Sequence, residues 1–362
     1  MRETRILLAA VTFILICVGL VMIYSASGIY ALHELHDGTY FLKRHFSFLL
    51  LGIVFMSGVM MIDYRQIQPY AKPLMVVSVV LLMLVLIPGI GKESYGARRW
   101  FRLGVLNFQP SEFAKMAMII YAADFLSRRQ KEITSFKKGL LPILLSMGVV
   151  CALIVKQPDL GTTVSIALIV LVMSFVAGAS LKHLGWIAFS AIPVVAYLIM
   201  KAPYRVARIM AFIDPWQDSQ GIGFQLTQSQ IALGSGGIFR FALGQSQQKL
   251  FYLPAAHTDF IFSIIGEEFG LAGTLAIVVL FILFILQGIK IANRTNNAFG
   301  YFLSVGIVFM IGLQAMVNVG VSIGALPTKG LPLPFISYGG SALIFHMMAV
   351  GLLLNISRIQ DL

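Results

Sequence analysis

Apolar stretches of nearly the ~20 residues that cross a bilayer as a helix recur near residues 6–30, 45–62, 70–90, 110–127, 139–155, 160–178, 184–201, 260–289, 299–324 and 340–357. In lipid every backbone N–H and C=O needs a partner within the protein, and a helix supplies them all. The pattern predicts an all-α polytopic membrane protein with ten transmembrane helices, organised as one domain over 1–362. Only 12% of residues are charged and 58% are hydrophobic, where a soluble domain carries about a quarter charged. The N-terminal apolar run follows Arg2 and Arg5 as a signal peptide would. It is longer than a secretory h-region of about 7–15 residues, so it reads as a retained first span.

An even number of spans puts both termini on one side. Arg128, Arg129, Lys131, Lys137 and Lys138 crowd loops on the side of the N-terminus, which the positive-inside rule makes cytoplasmic. A large extracytoplasmic loop, 201–259, then separates helices 7 and 8. The opposite face holds more Lys and Arg than insertion alone favours, together with that longest loop and much of the Pro and Gly. A functional site is therefore expected to face outward. The net charge of +12 is scattered among short loops. It fits anionic lipid head groups or a phosphate-bearing substrate, and no nucleic acid. Cys17 and Cys151 lie in apolar runs, so neither a disulfide framework nor a cysteine metal cluster is expected.

Charged residues at membrane depth must be paired, wet or functional. In "GARRWFRLGVLNFQPSEFAK" (96–115), Arg98, Arg99 and Arg102 sit with Trp100 and Phe101, either as an interfacial belt or as part of a site. Glu112 and Lys115 are one helical turn apart. They form either a helix-anchoring ion pair or the lining of a polar cavity. Asp159 in "KQPDLGTT" (156–163) has Lys156 or Lys115 within reach as a partner. "FQLTQSQIALGSGGIF" (224–239) is expected to hold an amphipathic helix at the membrane surface, broken by Gly234, Gly236 and Gly237, whose backbone could cradle phosphate. "NVGVSIGALPTKGLPLPFISYGGSALI" (318–344) has three prolines and Gly330 where spanning sequence would run. It is expected to fold in as a partial re-entrant segment. In "HTDFIFSIIGEEFG" (257–270), Thr258 or Asp259 can cap the following helix, or Asp259 can act as a general base at the membrane surface.

"QPSEFAK", "QPDLGT", "GSGG", "QKLFYLP", "HTDFIFSIIGEEFG" and "LPTKGLPLPFISYGGS" together resemble the SEDS family of bacterial cell-wall proteins. The likeness runs in order along the whole chain and is closer to the division branch than to the elongation branch. It implies a peptidoglycan glycosyltransferase that polymerises lipid II at the outer face of the cytoplasmic membrane. Implied partners are lipid II, a class B penicillin-binding protein transpeptidase, other division proteins and membrane lipid. The aspartate essential to the family falls on Asp259. The resemblance implies displacement at the anomeric carbon of one lipid-linked sugar, with Asp259 taking the proton from the acceptor's 4-hydroxyl. Arg208, Lys249, Lys329 and the Arg98–Arg102 cluster, or a divalent cation such as Mg2+ or Mn2+, would meet the pyrophosphate leaving group. Gln225, Ser229, His257, Thr258 and Ser337, with Glu112, Lys115 and Asp159, complete the candidate substrate-binding set. Ala255 stands where the family usually has glutamate, and Arg240, Phe241 and Ala242 replace its usual small residues. The rival readings are a lipid II flippase lined by Glu112, Lys115 and Asp159, and a scaffold that only recruits a transpeptidase.

Overall fold

The computed structural model describes residues 1–94, 97–103, 106–240, 244 and 256–359. Lys249, Ala255, Phe241 and Ala242 lie outside them. The long helices are α1 (Arg2–Leu35), α2 (Tyr40–Met61), α4 (Ala71–Leu84, preceded by the short α3, Tyr64–Ile67), α5 (Pro110–Arg128), α6 (Leu141–Lys156), α7 (Leu160–Val176), α8 (Leu181–Met200), α11 (Ile261–Asn293), α12 (Ala298–Ser322) and α13 (Gly340–Ile359). Each apolar stretch read from the sequence is helical. Among the described residues, eight helical segments are long and apolar enough to cross a membrane. Two fall short of that description for different reasons. α5 carries Glu112, Lys115, Asp124 and Arg128, and α7 is only 17 residues long.

The burial pattern follows from a bundle surrounded by apolar solvent. Leu8, Val11, Leu15, Gly19, Met22 and Ala26 of α1 are buried at helical spacing, while Phe13 and Tyr24 on its other side are exposed. α12 and α13 are largely buried at the centre, and α8 buries none of its residues. α8 packs chiefly on α7 and on the short α9 (Pro203–Ile213).

Contacts at the two ends of the bundle sort the helix ends. At one end Asn355 of α13 accepts from the Tyr64 amide and donates to Met60 O and Ile62 O. Gln68 donates to Asp124, and Arg294 approaches Met1. Both ends of the described chain therefore lie together. At the other end gather the α6–α7 turn, α9, the residues before α11 and the segment between α12 and α13.

Three features depart from the sequence reading. The segment before α5 is not an irregular loop. It forms a small antiparallel sheet of β1 (Lys92–Ser94), β2 (Ala97–Leu103) and β3 (Leu106–Phe108). Glu93 sits opposite Arg98, and Phe101 opposite Phe108. The fold is therefore mostly helical, with one small sheet at the end of the bundle away from Met1. Next, α10 (Phe224–Ser235) is docked on the bundle by one face, with Gln225 and Ile231 exposed on the other. It buries Leu226, Thr227, Ser229 and Ala232 against α11 and α12. The amphipathic helix is α9, whose Tyr204, Val206, Met210 and Ile213 are exposed.

Finally, the glycines after α10 cradle the backbone of α11 rather than phosphate. α11 breaks at Gly270, with φ 68°. That break frees the Leu271 and Ala272 amides, which donate to Gly237 O and Ile238 O at 2.9 and 3.1 Å. A Cβ on Gly236 would overlap Gly266 O, so only glycine permits this approach.

The re-entrant segment is present between α12 and α13. Leu331, Leu333, Phe335, Ile336 and Ser337 are buried in it. Non-helical backbone inside a bundle needs partners for its carbonyls, and α12 supplies them. Gln314 donates to Pro332 O and Asn318 to Leu331 O.

Candidate active site

A cavity of about 760 Å³ opens at the end of the bundle away from the termini. Arg99 and Trp100 of β2 form one wall, and the α6–α7 turn with Asp159 another. α8 contributes Val195 and Ile199, and α9 contributes Tyr204, Arg205 and Arg208. Asp259 and the segment Pro327–Gly330 close it.

Asp259 lies in a turn just before α11. That helix starts at Ile261 with Phe260 at its N-cap and no side-chain cap. Helix capping therefore does not occupy Asp259, and no hydrogen bond among the described residues engages its carboxylate. The side chain is half-buried. Burial pushes its pKa up to about 6, opposed by the positive charge of Arg208. Burial penalises the charged form, whereas a nearby cation favours it. A carboxylate titrating near neutrality is suited to accept a proton. Lys329 lies beside it in the wall, its pKa lowered by burial.

The structure divides the residues singled out in the sequence. It brings Arg208, Lys329, Asp159 and Asp259 to the cavity. Arg98 pairs instead with Glu93 at 3.0 Å, and neither it nor Arg102 lines the cavity. Of the three arginines of β2, Arg99 carries the charge to the cavity. Its guanidinium donates to Gln157 O and Pro158 O at 2.8 and 2.7 Å. Read as loop, 97–103 offered no way to choose among the three arginines. Arg205 was also missed, although its spacing from Arg208 on one amphipathic helix was readable. It donates to Leu198 O and to the Tyr204 hydroxyl.

Glu112 and Lys115 form a buried ion pair at 2.9 Å. The Lys115 ammonium also reaches Gln314 Oε1 at 3.4 Å. The pair is sealed within the bundle and does not line the cavity. Asp159 partners neither Lys156 nor Lys115. Its carboxylate accepts from the Thr162 amide and hydroxyl, capping α7. The residues assigned to a transport path are thus committed to packing and capping.

Ser229 is buried, bonded to Ser263 Oγ and Ser322 O. Gln225 is exposed on α10, away from the cavity lining. Ser337 accepts from the Leu333 amide and so shapes the re-entrant segment. His257 faces away from the cavity, its ring 4.6 Å from Phe41 and 5.8 Å from Tyr338, and burial lowers its pKa to about 4. Thr258 is half-buried in the same turn and is not among the lining residues.

A divalent cation fits this site poorly. Mg2+ and Mn2+ take hard oxygen ligands, but of the two lining carboxylates Asp159 is turned to cap α7. Arg99, Arg205, Arg208 and Lys329 line the same space. Among the described residues no three His, Cys, Asp or Glu side chains gather to hold a metal.

A family profile described as "Cell cycle protein", spanning FtsW, RodA and SpoVE, matches residues 5–361. The chain belongs to the SEDS family. This SEDS chain is 46% identical over 352 residues to a Geobacter sulfurreducens protein named "Probable peptidoglycan glycosyltransferase FtsW", covering 97% of this chain and 94% of that one. It is 44% identical to "Stage V sporulation protein E" of Bacillus subtilis, covering 98% and 96%. Among solved structures, a chain from a peptidoglycan synthase complex coordinating polymerization and crosslinking superposes with TM-score 0.79 at 29% identity, covering 99% and 98%. The rod shape determining protein RodA of Thermus thermophilus superposes with TM-score 0.71 at 28% identity, covering 98% and 97%.

Proposed function

We propose that this chain is a peptidoglycan glycosyltransferase of the division type, polymerising lipid II for septal wall synthesis. The observation that carries the reading is Asp259. It is an uncapped, half-buried carboxylate with a pKa near 6, in a cavity walled by Arg99, Arg205, Arg208 and Lys329. In the proposed step the acceptor's 4-hydroxyl oxygen attacks the anomeric carbon of the second lipid-linked sugar. Its proton passes to Asp259. The bond from that carbon to the pyrophosphate oxygen breaks, and undecaprenyl pyrophosphate leaves with the electron pair. The cations offset the charge developing on the leaving group. A carboxylate that activates the nucleophile opposite the leaving group is also the logic of inverting glycosidases. No step is routed through a metal.

The proposed topology is ten spans, with α5 and α7 crossing alongside the eight longer apolar segments. Both termini face the cytoplasm, and the cavity opens at the outer surface of the inner membrane. The ion pair inside α5 makes its charges tolerable at depth. A class B penicillin-binding protein is the proposed partner at the large outer loop. Purified protein supplied with labelled lipid II in vesicles tests the reading. Glycan polymer is expected. Relocation of lipid II across the bilayer without polymer would make the chain a flippase, and neither outcome would make it a scaffold.

A further inference from the structure

Two non-helical backbones carry the groups assigned above. The turn 256–260 carries Asp259, and the re-entrant segment carries Lys329 and Gly330. Asn318, on the last turns of α12, touches both. Its side-chain amide donates to Asp259 O and to Leu331 O, each at 2.9 Å. The residue is only 1% exposed. Its Oδ1 is buried without a hydrogen-bond partner, which costs about 1–3 kcal/mol. Packing alone would be met at lower cost by an apolar residue of similar size, so the two donors explain why an amide stands here.

The consequence reaches the carboxylate. Gly330 packs directly on it, and a Cβ there would lie 3.1 Å from Asp259 Oδ2. The relative placement of the turn and the segment therefore sets where the carboxylate sits. Gln314, one turn earlier on the same face of α12, holds Pro332 O, and among the described residues it has no hydrogen bond to the Asp259 turn. Asn318 alone of the two joins the turn to the segment.

We infer that Asn318 is a positioning residue whose amide clamps the Asp259 turn to the re-entrant segment, holding the base in register with the cations that meet the leaving group. This rests on the reading of Asp259 as the base. Asn318 touches no substrate and acts through the backbone of Asp259.

The test uses the purified full chain and its Asn318→Leu and Asn318→Asp variants, with lipid II polymerisation followed at varied pH and substrate. Asn318→Asp keeps the shape but has at most one donor, the O–H of the buried neutral acid, and none when ionised, so at least one of the two clamp bonds is lost without a change of packing. A misplacement of about 1 Å costs roughly a hundredfold in rate. Both variants are expected to lose about 10- to 100-fold in kcat, with KM within about twofold. In Asn318→Leu, which adds no ionisable group, the acid limb of the rate profile should also move to lower pH, because the released carboxylate relaxes into the open cavity. The charged groups facing it from the packed elements are Arg205 and Arg208 of α9, Arg99 of β2, Asp159 of the α6–α7 turn and Lys329. All are unchanged in Asn318→Leu, so the limb is read in that variant and kcat in both. Full kcat in Asn318→Asp overturns the clamp, even where Asn318→Leu fails to fold. So does a rate lowered equally at every pH with the limb unmoved, which is the mark of lost folded protein. A wild-type rate that does not depend on Asp259 overturns the base reading itself, whereas an Asp259-dependent rate with indifferent Asn318 variants sinks only the clamp.

Discussion

Burial holds the Asp259 pKa at about 6 while Arg208 pulls it down. Catalysis by the ionised form should therefore rise as pH climbs through about 6 and level off above it. Replacing Arg208 with Ala removes the charge that favours ionisation, so the acid limb should move to higher pH as the rate falls. An unchanged limb in a pH–rate profile of this variant would separate Arg208 from the base. A second contrast tests which arginine of β2 serves the cavity. Arg99 faces the cavity, and Arg98 pairs with exposed Glu93. Arg99→Ala should lower the polymerisation rate at least tenfold, and Arg98→Ala by less than about twofold, as expected for an exposed ion pair worth under ~1 kcal/mol. Glu112 and Lys115 belong to another class. Removing either partner strands a buried charge, at roughly 3–5 kcal/mol, so their replacement should damage folding before chemistry.

At the scale of elements, the break in α11 and the tail of α10 form one device. The amides freed at Gly270 find their acceptors on Gly237 and Ile238. The close approach at Gly236 is backbone on backbone. Gly236→Ala forces that contact apart, at about 1–3 kcal/mol by analogy with overpacked cores. Its expected signature is a melting temperature several degrees lower; an unchanged value would show that the tail is not docked there. The long helices were legible because apolar runs of spanning length have few alternatives. The re-entrant segment was legible too, since Pro327, Pro332 and Pro334 cannot continue a helix. The three-stranded sheet was not. Its period-two signal covers only seven residues of β2 and is rich in Arg, as an interfacial belt also is. The role of the glycines after α10 was hidden for a related reason. A Gly-rich tail suits phosphate and close backbone packing equally, and only the distant break at Gly270 decides between them. Asp259 was legible from its motif, but its freedom from capping depended on α11 starting one residue later, at Ile261.

At the scale of the whole molecule, the cavity draws on distant parts of the chain. β2, the α6–α7 turn, α8, α9, Asp259 and the re-entrant segment all contribute. α8 buries none of its residues, and α9 is exposed along its apolar face, so that wall has the least packing to fix it. A partner resting on the outer loop can select the competent arrangement by population shift. Adding a class B penicillin-binding protein should therefore speed chain growth by the purified protein. A flat rate once complex formation is verified would contradict that coupling and leave the chemistry standing. The central claim is that one carboxylate, set in a cationic cavity at the outer end of the bundle, deprotonates the acceptor hydroxyl. Its most direct test is polymerisation of labelled lipid II by the wild type and by Asp259→Ala, at matched amounts of folded protein. The account predicts polymer from the wild type and at least a hundredfold less from the variant, in the range expected for loss of a general base. Equal polymer from both would contradict it.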